Sequence, residues 1–235
     1  MTGAYKGLGA ETSRQLAAAG FHVVITARQV DKAQPTASKI AEAGGSAEAL
    51  ALDVSNNASV QAALDAVTVK HGRLDVLINN AGVNPEFAAG STPTTLSVEL
   101  MQTVYEANVF GPLRVILAAR PLLAKGTDAR IVNVSSTLGS LGALSDPENP
   151  YYAINTPAYN SSKTALNALT VAYAKALAAD GVAVISICPG WVKTDIGTEA
   201  AFSTVEEGVE IIVKMASVAK PPTGTFVDKA GPVAW

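Results

Sequence analysis

Met1-Thr2-Gly3-Ala4-Tyr5-Lys6-Gly7-Leu8-Gly9 opens the chain, followed by the helical run Ala10–Ala19 and the apolar run Phe21–Ala27 (FHVVITA). A glycine-rich turn that opens a helix, with a short β-rich run behind it, is the pattern of a strand-and-helix unit. Glycines let backbone approach a ligand closely, and the free N–H groups of the helix start can receive a phosphate. The spacing is G-x-x-x-G-x-G, which equally serves a turn that only packs helix on strand. Arg28 stands directly after the apolar run, with no carboxylate beside it. An acid there would suit the ribose of NAD, and an arginine suits a 2′-phosphate. A solvated strand-end arginine is the plainer reading.

The same alternation continues outward. Asp31–Ala43 reads as a helix stopped by Gly44-Gly45, Ala47–Leu52 as a strand closed by Asp53-Val54, and Asn56–Lys70 as a helix. Leu74–Ile78 is an apolar strand that runs into Asn79-Asn80-Ala81-Gly82. Residues 83–95 read as a loop. Leu96–Leu123 is a long helical pattern in which Asn108 and Gly111-Pro112 invite a local bend. Arg130–Val134 is a strand ending at Ser135-Ser136, and a long loop, 137–156, leads to a helix from Pro157 to about Asp180. Val182–Cys188 is a strand, Pro189-Gly190 starts a loop, Val205–Ala216 is a helix and Thr225–Val227 a last short strand. Strands and helices at this pitch predict right-handed βαβ units in one doubly wound α/β domain over residues 1–235, with a parallel sheet and helices on both faces.

Composition narrows the function. Hydrophobic residues make up 49% of the chain and charged residues 16%, which is globular rather than disordered. The net charge of −3, without a basic run, predicts neither nucleic-acid nor membrane-surface binding. Cys188 is the only cysteine, so no internal disulfide forms, which fits a reducing compartment. With one cysteine and two scattered histidines, His22 and His71, a His/Cys metal site or a Ser-His-Asp triad has little to draw on, and no metal is expected. The start lacks a charged leader with an apolar core, and no apolar run is long enough for a bilayer. These features predict a soluble, cytoplasmic protein.

Chemistry concentrates at Pro157-Ala158-Tyr159-Asn160-Ser161-Ser162-Lys163. Tyr159 and Lys163 lie one helical turn apart on one face. An ammonium beside a phenol favours phenolate and is expected to lower the tyrosine pKa from about 10. Taken alone, the spacing also fits an ordinary surface pair. Gly7, Arg28, Asp53, Asn80, Ser136 and Pro189-Gly190 all follow strand-like runs or the place of one, where ligands bind in an open parallel sheet.

With these pieces together, the sequence resembles the short-chain dehydrogenase/reductase family. The resemblance rests on TGAYKGLG at 2–9, LDV at 52–54, NNAG at 79–82, NVFGP at 108–112, IVNVSS at 131–136, YNSSK at 159–163 and PGWVKTD at 189–195, in the family's order and over nearly the whole chain. TAR at 26–28 and the final GPVAW are similar to its carbonyl-reductase-like NADPH group. The resemblance implies a Rossmann fold and reduction of an aldehyde or ketone by hydride transfer from NADPH. It makes Tyr159 the general acid. Lys163 lowers the Tyr159 pKa and holds the nicotinamide ribose, Ser136 hydrogen-bonds the substrate oxygen, and Asn108 supports a proton relay. It places Gly3, Gly7, Leu8 and Gly9 along the pyrophosphate, Asp53 and Val54 at the adenine, and Asn80 and Gly82 beside the ribose. Val192 and Thr194 reach the nicotinamide amide, with Pro189 and Gly190 leading to them. Lys6 and Arg28 match the basic pair for the 2′-phosphate.

The resemblance also implies a small-molecule carbonyl or alcohol substrate. It allows a homodimer or homotetramer through the long helices 96–123 and 157–180. One departure stands out: the family carries an apolar strand ahead of Thr2, where this sequence has Met1. Such a strand is central, so the sheet is expected to lack its first strand, leaving two neighbours without ladder partners and the core open beneath the cofactor. A second reading follows from that departure, a cofactor-binding protein with little or no catalysis.

Overall fold

The computed structural model describes the backbone of residues 1–235 and every side chain except that of Phe87. The chain folds as a doubly wound α/β layer. In order, α1 is Gly7–Ala18, β1 His22–Ala27, α2 Val30–Glu42, β2 Ser46–Ala51, α3 Asn57–His71 and β3 Val76–Asn79. Then follow α4 Glu86–Ala89, α5 Val98–Tyr105, α6 Gly111–Leu123, β4 Arg130–Val134 and α7 Leu141–Ser145. The chain ends with α8 Pro157–Ala176, β5 Ala183–Ile187, α9 Val205–Ser217, β6 Thr225–Asp228 and β7 Gly231–Pro232.

Most expected elements are present within a residue or two. The bend expected at Asn108 takes a definite form: Glu106–Phe110 is a π-helical turn between α5 and α6. Two expected loops carry structure. Residues 83–95 contain α4, and residues 137–156 contain a 3₁₀ turn, Thr137–Gly139, and α7. β7 pairs antiparallel with β6 through only two residue pairs, too short for alternation to reveal.

The strands form two sheets, β2-β1 and β3-β4-β5-β6-β7, parallel except at β6–β7. Side chains alternate across the second sheet. Ile78, Val132, Val134, Ile185 and Ile187 face α1, α2 and α9, while Leu77, Ile131 and Val184 face α3 and α6. Among the described residues, no helix is long and apolar enough to cross a membrane.

Between β1 and β3 runs the segment Met1–Ala4, which bonds to both. On the β1 side, the Thr26 N–H donates to the Met1 carbonyl at 3.2 Å and the Ala4 N–H to the Thr26 carbonyl at 2.9 Å. On the β3 side, the Thr2 N–H donates to the Ile78 carbonyl at 3.0 Å. The gap is therefore one strand wide, and Met1–Ala4 fills only the end nearest the glycine turn. Below it lies an apolar cleft walled by Val24, Leu50, Leu64, Val67, Val76 and Val115. The Met1 amine donates to the Val24 carbonyl at 2.8 Å, and burial pushes its pKa down to about 5.

The amine is thus neutral in the fold and charged in the unfolded chain between about pH 5 and 8. The unfolded state binds more protons there, so this group's contribution to stability rises with pH across that window. Extending the chain ahead of Met1 by about six β-branched residues removes the buried amine and supplies ladder partners to both edges. Thermal unfolding is expected to rise by about 5 °C or more. An unchanged midpoint would show that the cleft does not accept a strand.

Candidate functional site

The site is built at the carboxyl ends of the parallel strands. α8 carries Tyr159 and Lys163, both buried, in its first two turns. Thr156 precedes α8 without a side-chain cap bond. The cap comes from far upstream: the fully buried Glu86 carboxylate accepts from the Ala158 N–H at 3.2 Å and the Tyr159 N–H at 2.6 Å. A carboxylate at a helix start satisfies free N–H groups and opposes the helix dipole. No local capping signal marks it, because Glu86 lies in the stretch read as a loop.

A buried polar chain fixes α8 against the sheet. Asn79 donates to Asn133 at 2.8 Å, Asn133 donates to Thr170 at 2.9 Å, and the Thr170 and Ser186 hydroxyls lie 2.7 Å apart. Buried groups of this kind are costly unless partnered, so the chain specifies one register between β3, β4, β5 and α8.

Ser135 and Ser136 have different tasks. The Ser135 hydroxyl is buried and donates to the Lys163 carbonyl at 3.5 Å. Ser136 caps the 3₁₀ turn, accepting from the Leu138 N–H at 3.2 Å, and its hydroxyl is close enough to the Tyr159 phenol to pull that group's pKa down. The turn packs tightly on α8. A Cβ on Gly139 would stand 2.7 Å from the Lys163 carbonyl carbon, too close for any other residue.

The expected lowering of the Tyr159 pKa is not what the structure shows. Burial pushes Tyr159 up, and the Ser136 hydroxyl pulls only partly back. Burial pushes Lys163 down to about 8. The Lys163 ammonium donates to the Val134 carbonyl at 2.8 Å and lies 5.5 Å from the Tyr159 ring centre. Taking both groups out of water outweighs the attraction that spacing alone anticipates.

Asn108 is fully buried in the π-turn. Its amide donates to the Val83 carbonyl and the Ser162 hydroxyl, each at 3.0 Å, and its oxygen accepts from the Val83 N–H at 2.8 Å. Gly82 sits beside it: a Cβ there would stand 3.1 Å from the Asn108 oxygen and 3.6 Å from Lys163 Nζ. Asn108, Gly82, Lys163, Tyr159 and Ser136 therefore converge.

The glycine turn sits next to this cluster. The Asn80 amide donates to the Thr2 and Gly3 carbonyls at 3.0 Å each. A Cβ on Gly9 would meet Ala4 at 2.7 Å and Asn80 at 2.8 Å, so Gly9 is a close-approach position. Thr194 Cγ2 would stand 3.5 Å from a Cβ on Gly7, while Leu8 and Val192 both lie against Gly208 of α9. The loop Pro189-Gly190-Trp191-Val192 thus folds over the turn. Trp191 is edge-on to Phe202 at 5.0 Å, giving that loop an aromatic wall.

On the other flank, Arg28 lines a pocket with Tyr5, Ala27, Gln29 and Lys32. Lys6, the expected partner of Arg28, instead pairs with Asp195 across the turn. The second cation at Arg28 is Lys32, on the first turn of α2, which a strand-end reading does not reach. The Asp53 carboxylate accepts from Ser55, from its N–H at 3.0 Å and its hydroxyl at 2.6 Å. Val54 packs where a Cβ on Gly111 would be 2.8 Å away.

Lys163 provides a pH test of the burial just described. Its pKa falls from 10.5 to about 8 on folding, so the cost of its charge is fully present below pH 8 and relieved as pH rises toward 10.5. Wild type is expected to gain on Lys163→Met by up to about 3 kcal/mol across that window in denaturant unfolding. A stability difference that stays constant with pH would show an unperturbed lysine.

The short chain dehydrogenase family profile matches residues 1–204. A short-chain dehydrogenase of Penicillium roqueforti is 34% identical over 236 positions, covering 97% of this chain and 92% of its own. The (+)-neomenthol dehydrogenase of Arabidopsis thaliana is 31% identical, covering 97% of this chain and 95% of its own. The crystal structure of an NADPH-bound carbonyl reductase from chicken fatty liver superposes with a TM-score of 0.87 at 30% identity, covering 99% of this chain and 96% of that one. The chain belongs to the short-chain dehydrogenase family of oxidoreductases.

Proposed function

We propose that this protein reduces an aldehyde or ketone to an alcohol with NADPH, using Tyr159 as the general acid. The observation that carries the reading is the meeting of half-buried Ser136 with buried Tyr159 and Lys163 beside the glycine turn. The turn fits a dinucleotide because α1 presents its N-terminus there, and Gly9 lets the turn close tightly on Asn80. The pocket around Arg28 and Lys32 fits a 2′-phosphate, a dianion best matched by two cations. An NADPH-bound carbonyl reductase and an NADP complex of a metagenomic short-chain oxidoreductase are among the similar structures and support the same choice.

When bound, a reduced nicotinamide supplies hydride. Ser136 then holds the substrate oxygen as negative charge develops on it. Tyr159, whose pKa burial raises, remains a phenol at neutral pH and donates its proton to that oxygen. Lys163 keeps most of its positive charge at neutral pH and faces the phenolate that results. Asn108 supports proton movement by holding the Val83 and Ser162 backbone and hydroxyl contacts that shape the turn. Glu86 positions Tyr159 through its N–H rather than acting on substrate.

Two measurements test this. Tyr159→Phe keeps the ring and removes the proton, so NADPH oxidation over a panel of aldehydes and ketones is expected to fall by about 10²-fold or more. Equal rates in wild type and variant would end the assignment. Arg28→Ala is expected to erase a preference for NADPH over NADH of at least about tenfold in kcat/KM, roughly 1.4 kcal/mol. A preference that survives the substitution would move the 2′-phosphate elsewhere. If NADPH raises the unfolding temperature of wild type without turnover of any substrate, the cofactor-binding reading replaces the catalytic one.

A further inference from the structure

The only two histidines in the chain, His22 and His71, take no part in the site above. Far apart in sequence, they meet over one carboxylate. β1 opens on His22, β2 carries Glu48, and α3 ends on His71. His22 pairs with Ser46 in the β1–β2 register, so Glu48, two residues on, lies on the same face as Ser46. The Glu48 Oε1 atom lies 3.4 Å from His22 Nε2 and 2.6 Å from His71 Nε2. One ligand atom from each of the three side chains falls within 4.8 Å of the others. The ring centres of the histidines are 4.8 Å apart.

Two features go beyond chance proximity. First, Ser46 Oγ lies 2.7 Å from His22 Nδ1, which orients that ring and leaves Nε2 toward Glu48. Outer partners of this kind set the tautomer of metal-binding histidines. Second, His71 occupies the last turn of α3, where the helix dipole favours a cation.

We propose that His22, Glu48 and His71 bind a divalent first-row transition cation, with Zn²⁺ as the representative probe. Ligand bonds of about 2.0–2.2 Å place donor atoms roughly 3.2–3.6 Å apart in a tetrahedral shell. The His22–Glu48 separation already matches this, and the His71–Glu48 contact needs to open by under about 1 Å. Two imidazoles and a carboxylate suit such a cation and disfavour Mg²⁺ and Ca²⁺, which take oxygen ligands. The His22 side chain is 37% exposed, which leaves room for water in the fourth position. Lys70, paired with the other Glu48 oxygen, is the one ammonium among the described residues in contact with the group and competes with the cation.

The site stands at the start of β1, about 20 Å from the Arg28 end of that strand at roughly 3.3 Å per residue. Its effect is therefore on stability. The cation ties β1, β2 and α3 together on the flank that joins the larger sheet through Met1–Ala4.

The test is calorimetric titration of metal-stripped protein with ZnCl₂ near neutral pH. One equivalent is expected to bind with micromolar affinity, and Zn²⁺ is expected to raise the unfolding temperature. His22→Gln and His71→Gln should each weaken binding at least about tenfold and abolish the thermal shift. Lys70→Met should tighten binding, a result that a nonspecific surface site would not give. NADPH oxidation should be unchanged by Zn²⁺ in all four proteins. No binding up to about 1 mM Zn²⁺, or binding that survives both histidine substitutions, overturns the proposal.

Discussion

Four residues, Met1–Ala4, hold the fold at its narrowest point. Their backbone groups bond to Val24 and Thr26 on one side and to Ile78 on the other. Thr2 adds its hydroxyl, which accepts from the N–H groups of Asn80 and Ala81 at 3.0 Å each. Everything that shapes the dinucleotide end follows from this stitch. It fixes the glycine turn relative to Asn80, and it fixes β1, hence Arg28, relative to the catalytic strands. The outer flank also joins the larger sheet through the core, where Ile25 and Ile40 share a buried cluster with Ile78, Val132 and α9.

The cluster of Ser136, Tyr159 and Lys163 sits on the opposite side of that stitch. α8 is bound by the Asn133–Thr170–Ser186 chain, by Glu86 at its start and by Gly139 against its flank. Such redundancy is needed because Tyr159 and Lys163 are poor residues to bury. The energy that holds them there comes from the surrounding packing and hydrogen bonds, not from their own pairing.

Periodicity and turn residues made the fold legible, since β3, β4 and β5 are short apolar-rich runs and α1, α2 and α3 end within two residues of a glycine. The convergence of Ser136, Tyr159, Lys163 and Asn108 was legible only through the order of motifs, because no spacing rule brings residues 108, 136 and 159 together. What stayed hidden was long-range. Glu86 caps a helix some seventy residues on, Lys6 turns away to Asp195, and Lys32 takes its place beside Arg28. His22 and His71 looked scattered because only the β1–β2 register and the length of α3 bring them to Glu48. The Tyr159 pKa was misjudged for a related reason: sequence spacing reports the neighbour but not the loss of water.

Burial bears directly on the role proposed for Lys163 in the reduction above. In the resting site the phenol is neutral, so a nearby ammonium has little charge to act on. Once Tyr159 has given up its proton, a phenolate faces that ammonium within a buried pocket. At the 5.5 Å between Nζ and the ring centre, an effective dielectric of about 20 makes the attraction roughly 3 kcal/mol. The lysine thus stabilises the state after proton transfer far more than the state before it. An interaction felt mainly as charge develops lowers the barrier, whereas one that had already ionised the tyrosine would leave no proton to donate.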